Sequence, residues 1–95
     1  MAGLKLRELK ARGQLLEPVV RVGKLGLTPA VLAETERALT DHELIKIRLD
    51  HERNMRAELA GKIAEVTGAA VVMQVGKVAV FYRPKPATTP PAVSD

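Results

Sequence analysis

The chain has 95 residues, no cysteine, no tryptophan, one tyrosine and one phenylalanine. That length accommodates one domain with a single two-layer core. The missing cysteines exclude disulfides, thiolate metal sites, iron–sulfur clusters and thiol catalysis. At 46% apolar and 27% charged residues, the composition is that of a globular protein. No apolar run approaches the roughly 18 residues of a membrane span. The opening MAGLKLRELK is charged where a signal peptide needs an apolar stretch, so a cytoplasmic location is expected.

The formal charge is +4, unevenly spread. Residues 1–24 carry a net +4, residues 25–52 a net −3 and residues 53–95 a net +3. A basic domain with an acidic middle suggests a polarised surface, one side of which meets a polyanion. A solvated surface of mixed charge is the alternative.

In chain order, Leu4, Leu6, Leu9, Leu15 and Leu16 among lysines and arginines predict a short amphipathic helix that stops near Gly13. Pro18–Val22 reads as a strand with proline at its first position. Gly23-Lys24-Leu25-Gly26 breaks it. Thr28 is a good N-cap, Pro29 fits the first helical position, and Leu27 with Leu32 can form a hydrophobic staple. Val31, Leu32, Thr35, Ala38 and Leu39 then keep one face apolar to about Asp41. Leu44–Leu49 alternates, with Ile45, Ile47 and Leu49 on one side and Leu44, Lys46 and Arg48 on the other. Asp50 is a candidate cap for a third helix with a stripe of Met55, Leu59, Ile63 and Val66, stopped by Gly68. Ala70–Val75 and Val78–Tyr82 are expected to form a hairpin around Gly76-Lys77, a pair compatible with a type II′ turn, with glycine first. From Pro84 the chain holds four of its six prolines. Residues 85–95 therefore read as a disordered tail, and residues 1–84 as the domain.

The expected architecture is α-β-α-β-α-β-β, a four-stranded mixed sheet packed with helices, on the border between α/β and α+β. Parallel crossovers send the loops after the first three strands to one edge of the sheet, where ligands of open sheets bind. Lys24, Arg53 and Lys77 converge there, in company with Asp50 and Glu52. Glu17, Asp41 and Glu43 go to the opposite edge.

Gly23-Lys24-Leu25-Gly26 is the sharpest local signal. Two glycines three apart allow close approach of another backbone, the next helix start favours a phosphate, and Lys24 adds charge. An ordinary tight loop remains the other reading. The loop lacks the G-K-[ST] of a Walker motif and the third glycine of a dinucleotide fingerprint. His42 and His51 lie at opposite ends of one predicted strand, too far apart for a shared metal or an acid–base pair. The single serine, Ser94, lies in the tail. No catalytic constellation is present, so no enzyme, cofactor or metal is expected. Arg21, Lys46 and Arg48 extend the basic surface, unless their strand face is merely solvated or covered by the first helix. So few aromatics leave phosphate and shape, rather than stacked bases, as the mode of any nucleic-acid binding.

Taken together, LLEPVVRVGKLGLTPAVLAE, HELIKIRL and TGAAVVMQVGKVAVFYRP resemble the CRM domain (chloroplast RNA splicing and ribosome maturation), in particular its stand-alone bacterial YhbY-type form. The resemblance covers residues 4–84. It implies a fold similar to the C-terminal domain of translation initiation factor three, with an added N-terminal helix. It also implies an RNA-binding protein that associates with precursors of the large ribosomal subunit. The family's G-x-x-G loop maps onto Gly23, Lys24, Leu25 and Gly26, whereas Arg53, Arg56 and Lys77 are assigned from topology. A monomer acting on ribosomal RNA, without a membrane, is expected. An adapter docking a translation or assembly factor by its acidic edge is the first alternative. An intron-splicing module, as the domain serves in longer plant proteins, is the second.

Overall fold

The computed structural model describes residues 5–84; the proline-rich stretch read as a tail lies outside them. The elements are α1 (Leu6–Leu15), β1 (Pro18–Val22), α2 (Pro29–His42), β2 (Leu44–Leu49), α3 (Arg53–Thr67), β3 (Ala70–Val75) and β4 (Val78–Tyr82). They make one mixed sheet in the order β1-β2-β4-β3. β1 and β2 run parallel through the α2 crossover, and β4 is antiparallel to both of its neighbours. The hairpin thus slots its second strand between β2 and β3, which is why β3 does not adjoin β2.

Helices cover both faces, so the domain has three layers rather than the expected two. α2 and α3 cover Val20, Val22, Ile45, Ile47, Leu49, Ala79 and Phe81 with Leu39, Ala60 and Ile63. α1 lies on the other face, where Leu9 meets Val72 and Val80, flanked by Leu44, Met73 and Tyr82. Alternation along β4 sends Phe81 to one core and Tyr82 to the other.

Local chemistry sets the element ends. The Thr28 hydroxyl accepts from the Val31 N–H at 3.2 Å with Pro29 next in line, as the sequence predicts. Gly68 closes α3 in the left-handed region at φ 76°. Gly76 has φ 57°, and Lys77 is not among the residues of positive φ, as a type II′ turn requires.

Four expectations are corrected. α1 runs through Gly13 to Leu15, because Gly13 serves packing and not termination. A Cβ there would stand 2.9 and 3.1 Å from the two γ carbons of Val80. Asp50 does not cap α3. Glu52 holds that position without a side-chain bond, and the Asp50 carboxylate is engaged by arginines. The buried stripe of α3 is Ala60, Ile63 and Thr67, with Met55 and Val66 exposed. The small Ala60 permits close approach to the sheet, turning the helix away from its larger side chains. Finally, His42 closes α2 rather than standing at the start of β2.

Candidate nucleic-acid interface

The registers bring the loops after β1, β2 and β3 to one edge of the sheet. Backbone bonds stitch them together: the Leu49 N–H donates to the Lys77 carbonyl at 2.7 Å, and the Asp50 N–H to the Val22 carbonyl at 3.4 Å. Lys24, Arg53 and Lys77 therefore do share this edge, and all three are exposed.

Gly23-Lys24-Leu25-Gly26 is a β-turn closed by the Gly26 N–H on the Gly23 carbonyl at 3.0 Å. Gly26 needs its glycine, since φ is 75°. Gly23 does not: its φ is ordinary, and an added Cβ would meet nothing within 4 Å among the described residues. Leu25 stands 87% exposed at the tip. The N–H groups of Lys24 and Leu25 donate to no acceptor among the described residues. The start of α2 is less open than expected. Thr28 donates back to the Gly26 carbonyl, Pro29 has no N–H, and Val31 is bound by the Thr28 hydroxyl. The free donors at this corner belong mainly to the turn.

Arg21 and Arg48 are register partners on the α1 side of the sheet. One carboxylate joins them: Arg21 Nε donates to Asp50 Oδ2 at 2.6 Å, and Arg48 Nε to Asp50 Oδ1 at 2.7 Å. Asp50 is held below the usual carboxylate range first by Arg21 and then by Arg48. Both arginines spend only Nε on Asp50. Among the described residues their terminal nitrogens make no hydrogen bond, and the Arg21 side chain is 71% exposed.

The other two bases differ in availability. Arg56 Nη1 donates to the His51 carbonyl at 2.7 Å, so this side chain braces the turn between β2 and α3. Lys46 is half-buried against α1, beside Gln14. Two residues escaped sequence reasoning. Arg83 reaches Glu36 and the Thr67 carbonyl, both at 2.8 Å, and Thr40 at 3.3 Å, tying the sheet's far edge to α2 and α3. Gln14 faces the sheet from a helix whose polar residues all look alike in sequence. The far edge, expected to be acidic through Glu17, Asp41 and Glu43, thus also holds Arg83, whose N–H donates to the Glu43 carbonyl.

Among the described residues no cluster of His, Asp and Glu is placed to hold a metal ion. No helix there is long and apolar enough to cross a membrane.

Residues 1–83 match the model of the CRS1 / YhbY (CRM) domain. A probable RNA-binding protein of Pseudomonas aeruginosa is 43% identical over 81 residues, covering 84% of this chain and 78% of that protein. An RNA-binding protein of Haemophilus influenzae is 43% identical over 77 residues, covering 80% and 78%. A probable RNA-binding protein of Methanocaldococcus jannaschii is 36% identical over 88 residues, covering 90% of this chain and 65% of its relative. The solution structure of a hypothetical protein from Staphylococcus aureus superposes with a TM-score of 0.76 at 26% identity, covering 87% of this chain and 88% of that one. The motifs, the four-stranded mixed sheet and these matches agree, and the chain belongs to the CRS1 / YhbY (CRM) domain family.

Proposed function

We propose that this chain is a non-enzymatic RNA-binding protein of the cytoplasm that acts as a monomer in assembly of the large ribosomal subunit. The Gly23–Gly26 turn and the bases beside it would meet the ribosomal RNA backbone. Gly23 carries this reading. The fold makes no demand for glycine there, yet a missing side chain beside the free N–H groups of Lys24 and Leu25 suits close approach of a phosphate. Lys24, Arg53, Lys77 and the outer ends of Arg21 and Arg48 supply the surrounding charge. The relatives named as RNA-binding proteins support the same ligand.

Two experiments test the two halves of this proposal. Lys24→Ala should weaken RNA binding and lower the slope of log affinity against log salt by about 0.7–0.9. An unchanged slope removes the turn from the interface. In sedimentation of a cell lysate, the wild type should travel with large-subunit precursors, whereas Gly23→Asp/Lys24→Glu should stay at the top. A wild type that never leaves the top at low salt refutes the ribosomal role.

A further inference from the structure

The α1 side of the sheet carries a cleft of about 300 Å³ between Gln14, Lys46, Met73, Val75, Val78 and Val80. That volume is at the lower end of small-ligand sites. The pairing registers explain its composition. Across the strands, Arg21 pairs with Arg48, Arg48 with Val78, and Val78 with Val75. One row inward, Lys46 pairs with Val80 and Val80 with Met73. Neighbours in register share a face. A single surface therefore passes from arginines on β1 and β2 to an apolar floor on β4 and β3, with α1 as its wall. Gly13 sets the height of that wall by letting α1 approach Val80 and Met73.

We infer that this cleft seats one unstacked nucleobase of a single-stranded RNA whose phosphate lies on the terminal nitrogens of Arg48 and Arg21, a pair that keeps a net positive charge while Asp50 holds both Nε atoms. The assignment rests on the reading of the neighbouring edge as an RNA interface. A nucleobase has apolar faces and a polar rim, and the valines and Met73 offer the first what the Gln14 amide and Lys46 offer the second. Gln14 can both donate and accept, as a base edge requires. Arg48 and Val75 stand two strand spacings apart, about 10 Å, with the charge on the side where the phosphate must be. The wider hollow of about 480 Å³ beside α3 is rimmed by Glu58, Lys62 and Glu65, whose charges leave a net negative rim with no excess of bases to hold a polyanion. The arrangement gives a domain short of aromatics a seat for a base that needs no ring to stack on.

Methyl and amide NMR of the full chain tests this with two probes, a single-stranded RNA of mixed sequence and inorganic polyphosphate, which has charge without bases. The RNA should shift the methyls of Met73, Val75, Val78 and Val80 together with the amides of Gly23–Gly26, and polyphosphate only the amides. Gln14→Ala, on an exposed helix position, should lower RNA affinity about three- to tenfold, the worth of one hydrogen bond, and leave polyphosphate binding unchanged. Loop amides that shift with RNA while the methyls stay still overturn the base seat and leave the RNA interface standing. Equal methyl shifts with both probes also overturn it. Methyl shifts that depend on protein concentration without RNA make a second copy of the chain the occupant, and overturn it too. No shift at the loop with either probe overturns the functional reading along with the cleft.

Discussion

Gly13 and Gly61 both lie inside helices, where glycine is worth about 1 kcal/mol less than alanine. The structure predicts opposite outcomes for the same substitution. At Gly61, on the exposed face of α3, an added Cβ meets nothing within 4 Å. Gly61→Ala should therefore stabilise the domain by nearly the full ~1 kcal/mol. At Gly13 the new carbon would stand 2.9 and 3.1 Å from the γ carbons of Val80 and 3.3 Å from the Met73 methyl. Met73 is flexible and can move. Val80 is β-branched, 1% exposed and on a strand paired along both edges, so it cannot turn away. Overpacking of this kind costs about 1–3 kcal/mol, which outweighs the gain in helix propensity and leaves Gly13→Ala about 1 kcal/mol less stable than wild type. The two variants should differ by ~2 kcal/mol. Urea unfolding monitored by circular dichroism measures this directly, with midpoints on either side of wild type and a common slope. A Gly13→Ala midpoint that rises in step with that of Gly61→Ala refutes the close approach of α1 to β4.

Arg83→Ala removes the bonds to Glu36, Thr40 and the Thr67 carbonyl. It should cost about 2 kcal/mol and lower Tm by roughly 10 °C; a lysine at this position should recover little, since it lacks the planar fork. Asp50 has a depressed pKa, so its contribution to stability is fully present above the ordinary aspartate value and lost as pH falls through the lowered one. The wild-type advantage over Asp50→Asn in urea midpoint should hold from pH 7 to 5 and shrink below about pH 4. A constant difference across that range would show that the carboxylate is not clasped by arginines.

The parts legible in the sequence are those set by neighbours in the chain. Thr28 and Pro29 mark the α2 start within two residues, Leu44–Leu49 alternates, and Gly76-Lys77 permits one kind of hairpin turn. What escaped depends on partners far away. Gly13 looks like a stop signal until Val80, 67 positions later, is seen beneath it. The α3 stripe was misplaced because residue size suggested Met55 and Val66, whereas the sheet selects the small Ala60. At the candidate site the turn and the shared edge follow from motif and topology. The clasp of Arg21 by Asp50, 29 residues away, and the cleft under Gln14 arise only when the registers are known. Strand order was equally hidden, since no local pattern says that β4 enters between β2 and β3.

That insertion has a consequence for how the protein is made. β4, one of the two inner strands, is the last of the four strands of this sheet to be synthesised. A nascent chain ending before Val78 has β2 with an open edge and lacks Ala79, Val80 and Phe81, which join the two cores. Unpaired strand edges and uncovered apolar faces are where partly folded chains associate wrongly. Folding on the ribosome must therefore wait for nearly the whole domain to leave the exit tunnel. Translation stalled upstream of β4 should yield fragments that remain protease-sensitive, with no stable half-domain among them.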